Sequence, residues 1–202
     1  MAARSNAITE LVRFWLEARH QCLAHESLPV PVYRGISDID LLAVRGNMTQ
    51  FPLPDRTEVG PRVIVETKDE HDYDWKGKGF ARGFAADISR LGDNLFIPET
   101  RPSTPCYFTM LREQHFRRAT EFFGGESFDR LFVFHAIDRT VMDVTKEHME
   151  AKGIYVLSVG EVVSDLCNWY STYQGKPRLR HTLTGDMWHL LVGFCGCAPA
   201  DR

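Results

Sequence analysis

Two stretches of this chain read as buried strands, yet each carries ionisable residues where such a strand is apolar. In 36–44, Asp38 and Asp40 precede Leu41-Leu42-Ala43-Val44; in 62–68, Glu66 and Lys68 follow Val63-Ile64-Val65. Burying an unpaired carboxylate or ammonium costs several kcal/mol, so groups like these persist where they pair with one another or hold a cation. Residues two apart on a strand share a face at a separation of about 6.6 Å. Glu66 and Lys68 therefore share one face, Thr67 takes the other, and Asp38 goes with Asp40. If the two strands are neighbours, Asp40 and Glu66 converge on one point. Hard oxygen donors suit Mg²⁺ or Mn²⁺. Lys68 beside such a site can position or deprotonate a metal-bound water, or neutralise developing charge. Together these are the minimum kit for metal-dependent phosphodiester hydrolysis.

The rest of the chain reads as helices alternating with strands. Ser5 can cap a first helix whose Ile8, Leu11, Val12, Trp15 and Leu16 follow helical spacing, running to about residue 20–22. Pro29 and Pro31 close a connection, and a strand begins at 32–34. After 62–68 and the acidic run 69–74, a helix carries Phe80, Phe84, Ile88 and Leu91 on one face, with Gly92 as its cap. Thr104-Pro105 opens another helix, ended by Gly124-Gly125. Strands follow at 131–135 and 154–158, with helices at 145–152, 159–173 and 183–194. This order predicts a mixed, partly parallel sheet flanked by helices. The whole of 1–202 reads as one domain, with an insertion at 92–127 and an extension at 174–202.

With 44% apolar residues, 202 residues suffice for a substantial core. A formal net charge of -3 does not advertise nucleic-acid binding, but phosphate contacts need only a local basic face. No apolar run approaches the length of a membrane helix, and the first nine residues lack the apolar core of a signal peptide. Five scattered cysteines fit reduced thiols and a cytoplasmic setting.

The segments Ser37-Asp38-Ile39-Asp40-Leu41-Leu42-Ala43-Val44 and Val63-Ile64-Val65-Glu66-Thr67-Lys68, in that order after an N-terminal helix, resemble the PD-(D/E)xK nuclease superfamily. The likeness is nearest to its Mrr-like and Holliday-junction-resolvase-like branches and covers about residues 5–165. It implies a restriction-endonuclease-like three-layer α/β/α fold around a central mixed β-sheet. It implies Asp40 and Glu66 as metal ligands, the Thr67 carbonyl as a third, and Lys68 as the catalytic lysine. The first-helix glutamate of many members maps to Glu10 or Glu17. Glu10 lies about 170–190° from the centre of the apolar stripe, a solvent position unless the helix edge overhangs the site.

Each signal has a plainer counterpart. Asp40 could simply pair with Lys68 at a sheet edge, leaving Glu66 solvated. Asp38 could cap the turn at Arg34-Gly35. Lys76, Lys78 and Arg82, interleaved with aromatic residues, suit a phosphate-binding helix or a solvated face. Arg112, Arg117, Arg118, Arg178 and Arg180 are similar. Cys195-Gly-Cys197 lacks the usual zinc-knuckle spacing, even with His181 and His189 upstream. His135 reads as a packed histidine.

The expected function is a Mg²⁺- or Mn²⁺-dependent endonuclease acting on DNA, with a homodimer as the simplest way to cut two strands. Two alternatives are a non-catalytic nucleic-acid-binding or assembly subunit of the same fold, and a ligand- or partner-activated nuclease acting on RNA.

Overall fold

The structure, a computed structural model, describes residues 7–32, 35–68, 78–97, 106–135 and 139–172. The apolar runs that open the sequence argument become the centre of one sheet. Strands β1 (Cys22–Val32), β2 (Gly35–Arg45), β5 (Arg62–Lys68), β6 (Asp129–Phe134) and β7 (Ile154–Ser158) lie side by side in that order. A small hairpin of β3 (Phe51–Pro52) and β4 (Glu58–Val59) stands apart. The pairs β1–β2 and β2–β5 are antiparallel, whereas β5–β6 and β6–β7 are parallel. Parallel neighbours require crossovers. Helices α2 (Lys78–Leu91) and α3 (Glu113–Phe122) lie between β5 and β6, and α4 (Arg139–Glu150) lies between β6 and β7.

Both faces of the sheet are covered. Leu41, Ala43, Val63, Val65, Leu131, Val133 and Leu157 form one core with α1 (Ala7–Phe14), the π-helical turn Trp15–Arg19 and α5 (Val159–Ser171). The alternate residues Phe132, Phe134, Ile154 and Val156 pack on Phe84 and Leu91 of α2, Met149 of α4, and Phe108, Met110 and Leu111. Leu42 and Ile64 meet Ala119 and Phe123 around α3. Val63, Ile64 and Val65 are each at most 1% exposed, and burying side chains of this size contributes about 1.5–3 kcal/mol apiece. This is a mixed α/β architecture compatible with three layers. Ser158 caps α5 in a reciprocal capping box with Glu161.

The segment 22–31 is an edge strand and not the connection that Pro29 and Pro31 suggest. The reason lies at Ser27, whose φ is +53°. Pairing of β1 with β2 passes over Ser27 and Asp40, between Glu26–Leu41 and Leu28–Ile39. Side-chain alternation reverses there on both strands. Cys22 and Leu41 face the α1/α5 core, whereas Leu28, Val30 and Ile39 face α3. Such a reversal also exchanges the edges to which successive N–H groups point. Leu28 and Val30 then bond to β2, while the donorless nitrogens of Pro29 and Pro31 turn outward, where an edge strand tolerates them.

Two other boundaries differ. The helix expected from Thr104-Pro105 starts only at Glu113, after a 3-10 turn at Thr109–Leu111. It does end at Gly124 and Gly125, both with positive φ. Asp38 is the fourth residue of β2 and not its start. Ser5, Thr104, Pro105, the acidic run 69–74, Lys76 and the tail from 173, with its expected helix, His181, His189, Cys195 and Cys197, lie outside the described residues. Cys22 and Cys106 are free thiols. Among the described residues no helix is long and apolar enough to cross a membrane.

Candidate active site

Asp40 sits where the β2–β5 ladder ends. The last paired residues are Leu41 and Val65, so Asp40 and Glu66 would come next. Instead, the Asp40 carboxylate replaces the missing main-chain acceptor. Its Oδ2 takes the Thr67 N–H at 2.7 Å and the Thr67 hydroxyl at 3.1 Å. Because that hydroxyl proton goes to Asp40, the 2.7 Å contact between Thr67 Oγ1 and Thr9 Oγ1 has Thr9 as donor. The N–H and C=O of one strand residue share an edge, so the Thr67 carbonyl also points toward this fork. Helix α1 thus presents buried Thr9 to the centre, while Glu10 is exposed. Glu17 is committed elsewhere: Arg13 bridges it to Glu26, at 3.0 Å each.

Glu66 lies in the middle of the sheet, 2% exposed. Its Oε1 accepts the Thr109 N–H at 3.0 Å and its Oε2 the Met110 N–H at 2.8 Å. The Lys68 ammonium stands 2.6 Å from Oε1. The plainer pairing of Asp40 with Lys68 is therefore not what forms, and Glu66 is not solvated. A carboxylate offers about four lone-pair positions; three donors leave one, on Oε2.

The segment that delivers those amides is held from beneath by a second buried carboxylate. Asp87, 0% exposed on α2, accepts the Phe108 N–H at 2.7 Å and the Cys106 thiol at 3.3 Å, and pairs with Arg90. Burial pushes Asp87 above the usual carboxylate range, opposed by those donors. Tyr107 lies under the Lys68 ammonium, which is 5.2 Å from the ring centroid. Gly83 makes room for it: a Cβ there would lie 2.7 Å from the Tyr107 Cβ. Within the expected 92–127 insertion, residues 106–110 are thus packed into the centre.

Asp40, Glu66 and His115 line a cavity of about 10 Å³, walled by Ile39, Ile64 and Met110. Burial, and then the charge of Glu66, pushes Asp40 up to about 6; the Thr67 donors and Lys68 oppose the rise. Two like charges in one dry pocket explain that direction. Among the described residues no three His, Cys, Asp or Glu side chains are gathered to hold a metal. A cation here would rest on two carboxylates and a carbonyl. That all-oxygen set fits a hard dication that keeps several waters.

Of the expected site residues, Asp40, Glu66, Thr67 and Lys68 come together. Arg82 is exposed on α2, Lys78 begins that helix, and Lys76 is outside the described residues. Sequence reasoning missed Thr9, Asp87, His115 and the amides of Thr109 and Met110. Two of these left a signal. Asp87 falls on the stripe of Phe84, Ile88 and Leu91, and His115 on that of Ala119 and Phe123, each a polar residue where a helix buries its face. No protein-family model, curated protein or solved structure matches the chain.

Proposed function

We propose that this chain is a metal-dependent endonuclease of the restriction-endonuclease-like fold, hydrolysing DNA phosphodiester bonds. The observation that carries this reading is the fork itself. The ladder of β2 and β5 stops where Asp40, Glu66 and Lys68 meet, and the Asp40 carboxylate bonds the Thr67 N–H at 2.7 Å across the gap. Asp40, the remaining lone pair of Glu66 Oε2 and the Thr67 carbonyl would hold Mg²⁺ or Mn²⁺. When bound, such an ion polarises a phosphoryl oxygen and acidifies its own water. The chain's own groups do the rest. Lys68, with its side chain 21% exposed, carries its ammonium to the rim, where a phosphate can meet it. Tyr107 and Glu66 fix its direction. Thr67 and Thr9 hold the Asp40 carboxylate still.

The test is cleavage of plasmid and single-stranded DNA with Mg²⁺, Mn²⁺ or EDTA, beside Lys68→Ala. Metal-dependent nicking that is lost in the variant supports the reading. No cleavage by folded protein with either metal refutes it for DNA.

A second reading has its own observation. The two backbone amides on Glu66 are what a purely structural carboxylate needs to anchor 106–111. They favour a non-catalytic nucleic-acid-binding or assembly subunit, or a nuclease acting on RNA that a ligand or partner switches on by moving that segment. Indifference to metal in nucleic-acid binding would select the non-catalytic form.

A further inference from the structure

His115 is fully buried, 0% exposed, near the start of α3. Its Nε2 lies 3.0 Å from the Ser37 hydroxyl of β2 and the Asp38 carbonyl also draws on the ring, while its Nδ1 has no hydrogen-bond partner. A buried ring nitrogen without a partner loses the hydrogen bond it had in water unless something bonds it. The ring lines the same small cavity as Asp40 and Glu66. We propose that His115 is a positioning residue of this centre, its Nδ1 binding one water that bridges the ring to the Asp40–Glu66 pair.

The size and chemistry of the cavity select that occupant. A buried water needs about 10–15 Å³ and two to four polar partners. The cavity is about 10 Å³, and the ring nitrogen, the Asp40 carboxylate and the last lone pair of Glu66 supply three. Burial also holds the imidazole well below its usual range, at about 4, against the pull of Glu66. In catalysis, a claim that rests on the nuclease reading, a cation would take over the Glu66 lone pair and keep this water in its hydration shell, and His115 would set the water's direction without being a ligand.

The competing role is structural: the links to Ser37 and the Asp38 backbone would tie α3 to β2. Two substitutions separate them, because an asparagine amide reaches the place of Nδ1 and a glutamine amide that of Nε2. A high-resolution crystal structure of the metal-free protein comes first. Water within about 3.2 Å of Nδ1 is expected, and its absence overturns the proposal. Mn²⁺ affinity is then measured by electron paramagnetic resonance for wild type, His115→Gln, His115→Asn and Ser37→Ala, with thermal melts to establish folding. Losing the outer group weakens metal binding about 10–100-fold, so His115→Gln should lose that much and His115→Asn clearly less. Ser37→Ala should keep wild-type affinity, and it decides the matter if a His115 variant does not fold. The reverse order, unchanged affinity in both His115 variants, or a loss in Ser37→Ala matching that of Gln would overturn the proposal. Wild type that binds no Mn²⁺ but shows the water would sink the nuclease reading and leave this water in place.

Discussion

Glu66→Gln tests the centre without reference to any activity. The carboxylate takes three donors: Thr109 N–H at 3.0 Å, Met110 N–H at 2.8 Å and Lys68 at 2.6 Å. Glutamine keeps the shape but presents one oxygen and one NH₂. Turned with oxygen toward Thr109 and Lys68, it sets NH₂ against the Met110 N–H; turned the other way, it loses two partners. The better rotamer leaves the amide of Met110, itself 3% exposed, orphaned. A charge-assisted bond of this kind is worth about 1.5–3 kcal/mol, and Lys68 loses about 1 kcal/mol more because it can rehydrate in part. Relief of the buried charge offsets some of this, for a net loss of about 3 kcal/mol. At about 2–4 °C per kcal/mol in a domain of this size, the melting temperature should fall by about 6–12 °C. Urea unfolding followed by circular dichroism measures the loss, and hydrogen exchange at Thr109 and Met110 should accelerate. A loss below about 1 kcal/mol, with both amides still protected, would show that Glu66 does not hold this segment.

Other outcomes follow from the same geometry. Asp40→Ala and Lys68→Ala should abolish metal-dependent cleavage of DNA while leaving the circular dichroism spectrum of the fold; loss of folding in both would favour a structural network. Thr9→Val should slow cleavage more than Glu10→Ala, since Thr9 bonds the Thr67 hydroxyl at 2.7 Å whereas Glu10 is exposed; the opposite order in a steady-state assay would refute the hydroxyl relay. Acid should destabilise the metal-free protein. Burial holds His20 at about 3 and His115 at about 4, so their stabilisation is complete above the unfolded value near 6.5 and lost as pH falls. Asp40, raised to about 6, runs the other way, stabilising as pH drops through 6. From pH 7 to 5 the two histidines lose about 4 kcal/mol and Asp40 returns about 1 kcal/mol. His20→Phe, in its aromatic setting of Trp15 and Phe51, should remove about half of that loss in urea titrations; an unchanged acid limb would refute the assignment. Gly83→Ala gains about 1 kcal/mol of helix propensity but displaces Tyr107, so it should lower the melting temperature; a rise would mean the ring yields freely.

What the sequence made legible was whatever depends on local pattern. The run Val63-Ile64-Val65 with its charged end marked β5, the 84–88–91 stripe marked α2, and Gly153 marked the turn before β7. The edge strand was hidden because its alternation reverses at Ser27 and its prolines mimic a linker. Asp40, Glu66 and Lys68 were readable because a charge inside a buried strand stands out. The support around them was not. Backbone amides carry no sequence signature, and those of Thr109 and Met110 come from 43 and 44 residues away. Placing Thr9, and not Glu10, at the centre depends on the rotation of α1 about its axis, which one apolar stripe defines only to within a residue.

The outward prolines of β1 bear on how two copies could meet. Pairing of sheets across two subunits relies on a row of amide donors along an exposed edge. At Pro29 and Pro31 that row is broken at two successive outward positions, and the Pro29 carbonyl already accepts from Arg118 Nε of α3 at 3.3 Å. Two copies brought edge to edge across a two-fold axis would oppose gap to gap. The sheet is terminated chemically on this side. A paired unit able to cut both strands of a duplex would then assemble through side chains and not through the amides of this part of β1.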